Sequence, residues 1–231
     1  MALAVAAAGV GFAVAGSRSV GSEADGLDGP LGLAVLARSP TAADRELREA
    51  GYGALVSQGR GSDAKRDELR LLRRRGEEVA VLVATEQPSE PGPGEKTDGV
   101  PFGRFKEVCI NYATGGLSNI ACGDRRAFRR GGIGGISQSA EFGADTTDEE
   151  VMDAPDDEPF LDADGKVVPA HFYGLVPNAV ARVEQTFSGG LPSAEGPVSG
   201  NFYDIVSTHP EAPNRNGDVL WFDRDGKAIP H

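Results

Sequence analysis

A mainly β fold is predicted, α+β at the margin: antiparallel sheet, sandwich- or barrel-like, with one or two short helices after an N-terminal apolar segment. Three observations carry that expectation. Short apolar or alternating runs bounded by turn residues recur from VAVLV at 79–83 to VLWF at 219–222. The 32 Gly and 15 Pro punctuate these runs without reaching low-complexity composition. The stretch EVCINYATGGLSNIACGD folds back on itself about Gly115-Gly116 in the register of a hairpin. At 231 residues the chain suits one domain with a sizeable core.

Residues 1–16, MALAVAAAGVGFAVAG, carry no charge, and the first ionised side chain is Arg18. As a helix they reach about 24 Å, short of the ~30 Å hydrocarbon core, so a secretory segment suits the length better than a full span. Ala13-Val14-Ala15 has the small-x-small form of a cleavage site, while the basic residues expected ahead of the apolar run are absent. The competing reading is a buried first helix or strand of a cytosolic protein. Gly9-Val10-Gly11 lacks the spacing of a dinucleotide-binding turn. The segment 1–16 is therefore taken as a signal or membrane anchor, 17–38 as a polar linker, and 39–231 as a single β-rich extracytoplasmic domain.

Ser39-Pro40 before TAADRELREAG predicts a short helix, with Pro40 at its first position and Gly51 as its stop. DAKRDELRLLRRR is ambiguous. Asp63 would cap a helix, yet Leu69 and Leu71 alternate like a strand turning at Arg75-Gly76 into EVAVLVAT. That second run, apolar from Val79 to Ala84, predicts a strand covered on both faces. Residues 86–101, with four prolines, form a flexible insertion, and the acidic stretch 141–159 forms another.

In the hairpin about Gly115-Gly116, Cys109 falls opposite Cys122, Asn111 opposite Ile120 and Tyr112 opposite Asn119. Facing residues of a non-hydrogen-bonded pair lie about 4.5 Å apart at Cα, at the short limit for a disulfide. A bridge fits an exported protein; two buried free thiols in adjacent strands is the alternative. Two cysteines without a neighbouring His do not make a zinc site. Further on, AVARVEQTF alternates, with Ala179, Ala181, Val183 and Phe187 on one face and Arg182, Glu184 and Thr186 on the other. GNFYDIV and DVLWFD complete an antiparallel carboxy-terminal third. FLDADGKVVP at 160–169 and WFDRDGKAIP at 221–230 share D-x-D-G-K, which reads as a hairpin turn. An EF-hand needs an earlier Asp where Phe160 and Trp221 stand.

The net charge of −12 argues against nucleic-acid binding. Residues 141–164 hold eleven carboxylates and no Lys or Arg, so the remainder carries only −1. That run offers oxygen ligands for weak calcium binding, or a docking partner for Arg125, Arg126, Arg129 and Arg130 just ahead of it. No G-x-S-x-G elbow, P-loop or HExxH occurs. A hydrolase would have to use His171 or His209 with a nearby carboxylate, since His231 ends the given sequence. No cofactor is expected, and the membrane is met only through the N-terminal segment.

LAVLARSPTAADREL, VAVLV followed by VCI, ACG, HFYGLVPNAVARVE, GNFYDIV and WFDRDGKAI together span most of residues 33–229. In these pieces the chain resembles an uncharacterised family of exported or membrane-anchored β-rich proteins from high-GC Gram-positive bacteria. The resemblance implies one N-terminal anchor or signal, one extracytoplasmic β domain, a cysteine pair at Cys109 and Cys122, and no known activity. The expected role is non-catalytic: a cell-envelope or extracellular module that binds a protein partner or an envelope component.

Overall fold

The computed structural model describes residues 27–50, 68–76, 78–86, 100–114, 117–129, 132–138, 164–209, 211–212 and 215–231. Two short helices come first: α1 (Ala34–Ala37) and α2 (Ala42–Glu49). The strands are β1 (Glu68–Arg75), β2 (Glu78–Thr85), β3 (Glu107–Thr114) and β4 (Leu117–Gly123). After α3 (Arg125–Arg129) come β5 (Ile133–Gln138), β6 (Ala170–Leu175), β7 (Arg182–Phe187) and β8 (Ala194–Pro197). Strands β9 (Phe202–Ser207), β10 (Asn216–Phe222) and β11 (Ala228–Ile229) follow. They form three antiparallel sheets, ordered β1-β2-β3-β4, β5-β6-β9 and β11-β10-β7-β8. The protein is mainly β, in a sandwich-like arrangement with no closed barrel.

The ambiguous segment before Gly76 is strand β1, not helix, because pairing with β2 buries Leu69 over a far larger apolar surface than an isolated helix could offer. Both faces of β2 are covered. Val79, Val81 and Val83 join Leu47 of α2, Leu69 and Cys109, while Ala80, Leu82 and Ala84 face the second sheet with Ile110, Ile133, Leu175 and Phe202. The middle sheet turns its other face, with Phe172 and Ile205, to Val183 and Trp221 of the third. As the alternation of AVARVEQTF indicates, Val183 lies inward and Arg182 outward, though the strand starts only at Arg182.

Helix α2 begins two residues later than Pro40 would place it, at Ala42. Thr41 is the N-cap: its hydroxyl accepts from the Asp44 N–H, and the Asp44 carboxylate accepts from the Thr41 N–H. Residues 27–38 are not linker. Leu33, Val35 and Leu36 are buried in the core, so the folded part begins ahead of residue 39. Two asparagines hold this stretch in place. Asn178 Oδ1 accepts from the Ala34 N–H at 2.7 Å and Asn201 Oδ1 from the Val35 N–H at 3.0 Å, satisfying donors that the first turn of α1 leaves open. The Asn201 amide donates to Val176 O and Asn178 Oδ1, and Asn178 donates to the carbonyls of Leu27 and Gly29. Asn201 achieves this at φ 67, a conformation that Asn tolerates better than most residues.

The hairpin of β3 and β4 has the register expected, Cys109 opposite Cys122, Asn111 opposite Ile120 and Tyr112 opposite Asn119. The two cysteines are bridged, with 4.0 Å between Cα atoms. In the second D-x-D-G-K copy the turn links β10 to β11: Gly226 takes φ 78 and the Asp223 N–H donates to Lys227 O. Among the described residues no helix is long and apolar enough to cross a membrane. Residues 1–16, all but Glu86, Val100 and Pro101 of the insertion at 86–101, and the acidic run up to residue 163 lie outside the described residues.

Candidate functional site

Along the interface between the first two sheets, positions two apart on one face change from apolar to polar in the same direction on every strand. On β6 the series is Leu175, Tyr173, His171; on β9 it is Phe202, Asp204. On β5 it is Ile133, Gly135, Ser137; on β3 it is Val108, Ile110, Tyr112; on β2 it is Leu82, Ala80, Glu78. Period-two geometry places each series on a single face. The registers β5-β6-β9 and β2-β3 bring the polar ends together, with Ser137 opposite His171 and Ala80 opposite Tyr112. The result is an apolar interlayer that opens into a polar end carrying Arg73, Glu78, Tyr112, Asn119, Ser137, His171 and Asp204.

Arg73 reaches this face because of a bulge. Leu71 pairs with Val81 but Arg73 with Ala80, so Leu72 is the extra residue and the parity of β1 reverses after it. Without the bulge Arg73 would share the face of Leu71, away from Asp204.

Asp204 is the hub, its side chain 0% exposed. It is paired with Arg73. Its Oδ1 lies 3.0 Å from His171 Nδ1, and the Tyr112 hydroxyl donates to its Oδ2 at 3.3 Å. The same hydroxyl is 3.0 Å from His171 Nδ1. A carboxylate paired with Arg only accepts, so Nδ1 donates its hydrogen to Asp204, and Nε2 is the ring nitrogen left toward Glu78. Glu78 Oε1 lies 3.8 Å from that Nε2, beyond hydrogen-bond range. Glu78 Oε2 is buried with no hydrogen-bond partner among the described residues. The His171 and Glu78 side chains are 14% and 24% exposed, so the cluster meets the surface on this side.

Aromatic packing closes the inner wall, Tyr112 stacking on Tyr173 with centroids 4.6 Å apart. Burial, with the neighbouring Asp204 and Glu78 charges and against Arg73, holds the Tyr112 phenol protonated far above the ordinary tyrosine range. Burial pushes Tyr173 up to about 12. Ser137 is buried and accepts from the Asn119 amide at 3.2 Å.

Of the residues singled out in the sequence, His171 therefore gains a carboxylate. His209 accepts from the Glu211 N–H at 3.3 Å and touches no carboxylate among the described residues. Cys109 and Cys122 lie near Glu107, but their sulfurs are bonded to each other and are no thiolate ligands. Arg125, Arg126 and Arg129 sit on α3; Arg130 and all but Asp164 of the acidic run fall outside the described residues. Sequence reading missed Arg73, Glu78, Tyr112 and Asp204. The alternation of β6 and β9 assigns faces within each strand, while the juxtaposition of strands 33 to 131 residues apart is a property of the fold.

A second feature is the free edge of β10. β11 pairs only with Trp221 and Phe222, and no described strand covers the edge beyond them. Because Asp223 bonds to Lys227, and Trp221 opposes Ile229, the same alternation turns the backbone groups of Val219 toward this edge; ahead of Val219 a bulge breaks the register with β7, and the Gly217 carbonyl accepts from Gln185 Nε2 at 3.4 Å. A groove of about 810 Å³ runs along it, between residues 217–222 and 228–231. Leu220 on this strand is 38% exposed.

No protein family, curated protein or solved structure matches the chain.

Proposed function

We propose that the protein is an extracytoplasmic, non-catalytic binding domain, exported through its N-terminal apolar segment as a secreted or membrane-anchored envelope component. Its partner is an extended protein segment that adds as a strand to the open edge of β10. The observation that carries this reading is that edge: Val219 turns its backbone groups to an edge that no described strand covers, beside a groove and in line with the short strand β11. Open edges of this length are normally covered or blunted, and only Asp218 carries charge along this one. The Cys109–Cys122 bridge suits an oxidising compartment and supports the extracytoplasmic placement.

The test is selection from a displayed library of extended peptides. Saturable binders are expected, with slower amide exchange at Val219 in the complex and loss of binding in Val219→Pro, which lacks the edge N–H. No saturable binder, or unchanged exchange at the Val219 amide, overturns the reading.

The contact of His171 Nδ1 with the buried Asp204 favours a second reading, a hydrolase in which the imidazole activates water. A broad hydrolase screen in which His171→Ala matches the parent protein removes it.

A further inference from the structure

We infer that Glu78 and His171 bind a divalent transition ion of the zinc class, with Asp204 orienting the imidazole. Three observations converge on it, none of which depends on the β10 edge. First, Asp204 Oδ1 accepts from the His171 Nδ1–H at 3.0 Å, leaving Nε2 as the ring nitrogen toward Glu78. A carboxylate on the far nitrogen of a ligating histidine fixes its tautomer and raises its basicity. Asp204 is itself fixed by Arg73 and Tyr112.

Second, the spacing suits two ligands of one ion. Nε2 and Glu78 Oε1 are 3.8 Å apart. Ligand atoms at about 2.0–2.1 Å from a tetrahedral ion lie about 3.4 Å from each other, so a side-chain adjustment of about 0.4 Å admits the ion. The nearest ligand atoms of Glu78, His171 and Asp204 all fall within 4.8 Å of one another.

Third, one acceptor is left over: Arg73 pairs with Asp204, while Glu78 Oε2 is buried and unpartnered among the described residues. A buried carboxylate oxygen without a donor is costly, and a cation supplies what it lacks. An imidazole and a carboxylate select zinc, cobalt, nickel or copper over calcium, which prefers six to eight oxygens. Two protein ligands leave further positions to water.

The test is titration of the untagged full chain with Zn²⁺ by calorimetry, and with Co²⁺ by visible absorption, in excess Ca²⁺ so that the acidic run is occupied. One ion per chain is expected. Affinity falls at least tenfold in His171→Ala and Glu78→Gln and about 10- to 100-fold in Asp204→Asn, while His209→Ala binds like the parent. Long-range ¹H–¹⁵N spectra of the unaltered protein keep the outcome independent of variant folding. The Nε2 resonance of His171 must shift on adding Zn²⁺. An unmoved His171 resonance, a shift at His209 or His231 instead, or parent-like affinity in either ligand variant overturns the site.

Discussion

Asp44 and Asp204 are both buried aspartates paired with an arginine, yet they are built for different ends. The Asp44 side chain is 1% exposed and accepts from both terminal nitrogens of Arg38, from the N–H and hydroxyl of Thr41, and from the Leu71 N–H. Two of those donors are backbone, so Asp44 caps α2 and fastens it to β1. Asp204 accepts only from side chains: Arg73, Tyr112 and His171. Its network runs on through the imidazole and stops at an unbridged gap beside Glu78. A saturated carboxylate with backbone donors is scaffolding. One that orients a second polar group toward the surface is the better place to look for a ligand.

The comparison is broken most directly by removing each carboxylate. Asp44→Ala leaves Arg38 and two backbone N–H groups without their acceptor, and should cost about 3–5 kcal/mol in chemical denaturation, with the His171 resonances unmoved. Asp204→Ala should cost less, since its donors are side chains that can rearrange and it strands no backbone N–H, but it should release the orientation of His171. If both variants disturb His171 equally, the division into scaffold and site fails. The cystine lies on the Asp44 side of the first sheet, in the cluster with Leu47. Reduction, or Cys109→Ser with Cys122→Ser, should lower stability by about 2–3 kcal/mol for so short a loop. A melting curve unchanged by reductant would show the bridge to be redundant.

The same two regions answer pH from opposite ends. For Asp44, burial alone would raise the pKa, but Arg38 and the bonds from Thr41 and Leu71 hold it well below the ordinary 3.8. A depressed acid contributes stability that is present above 3.8 and is lost as pH falls through the folded value. Asp44→Asn should therefore flatten the acid limb of stability against pH. Tyr112 is raised, so its contribution is present below the ordinary 10.0 and lost as pH rises toward its folded value. Burial raises Tyr173 and Tyr203 in the same direction. Of four tyrosines, only Tyr52 lies outside this group, so absorbance titration near pH 10 should show at most one phenol ionising before the fold opens. Two or more would contradict the packing around Tyr112.

Much of the scaffold could be read from residue pattern, because each signal was local. The cysteine hairpin needed only symmetry about Gly115-Gly116, and the two-sided burial of β2 only its unbroken apolar run. Where a local signal met a competing long-range one, it misled. SRSVGSEADGLDGP reads as linker, but the LGLAVL that follows is pulled into the core by Asn178 and Asn201, over 140 residues away in the first case. The site was half legible. His171 stood out by scarcity, whereas Asp204 was one carboxylate among 35 acidic residues. Arg73 was hidden by a bulge, since period-two reading of β1 assigns it to the wrong face.

The smallest expected effect sharpens the comparison furthest. His171→Gln removes the ring but keeps a polar side chain of similar reach, and Asp204 retains Arg73 and Tyr112. The loss should be about 1 kcal/mol, the net worth of one hydrogen bond in a network that remains satisfied. A structural histidine that closed the network, as Asp44 closes its own, would cost several times more, because its removal would strand buried partners. Denaturation of His171→Gln beside Asp44→Ala therefore measures the asymmetry itself. A cost near 1 kcal/mol places His171 at the open end of the cluster, whereas one near 4 kcal/mol would make it part of the scaffold.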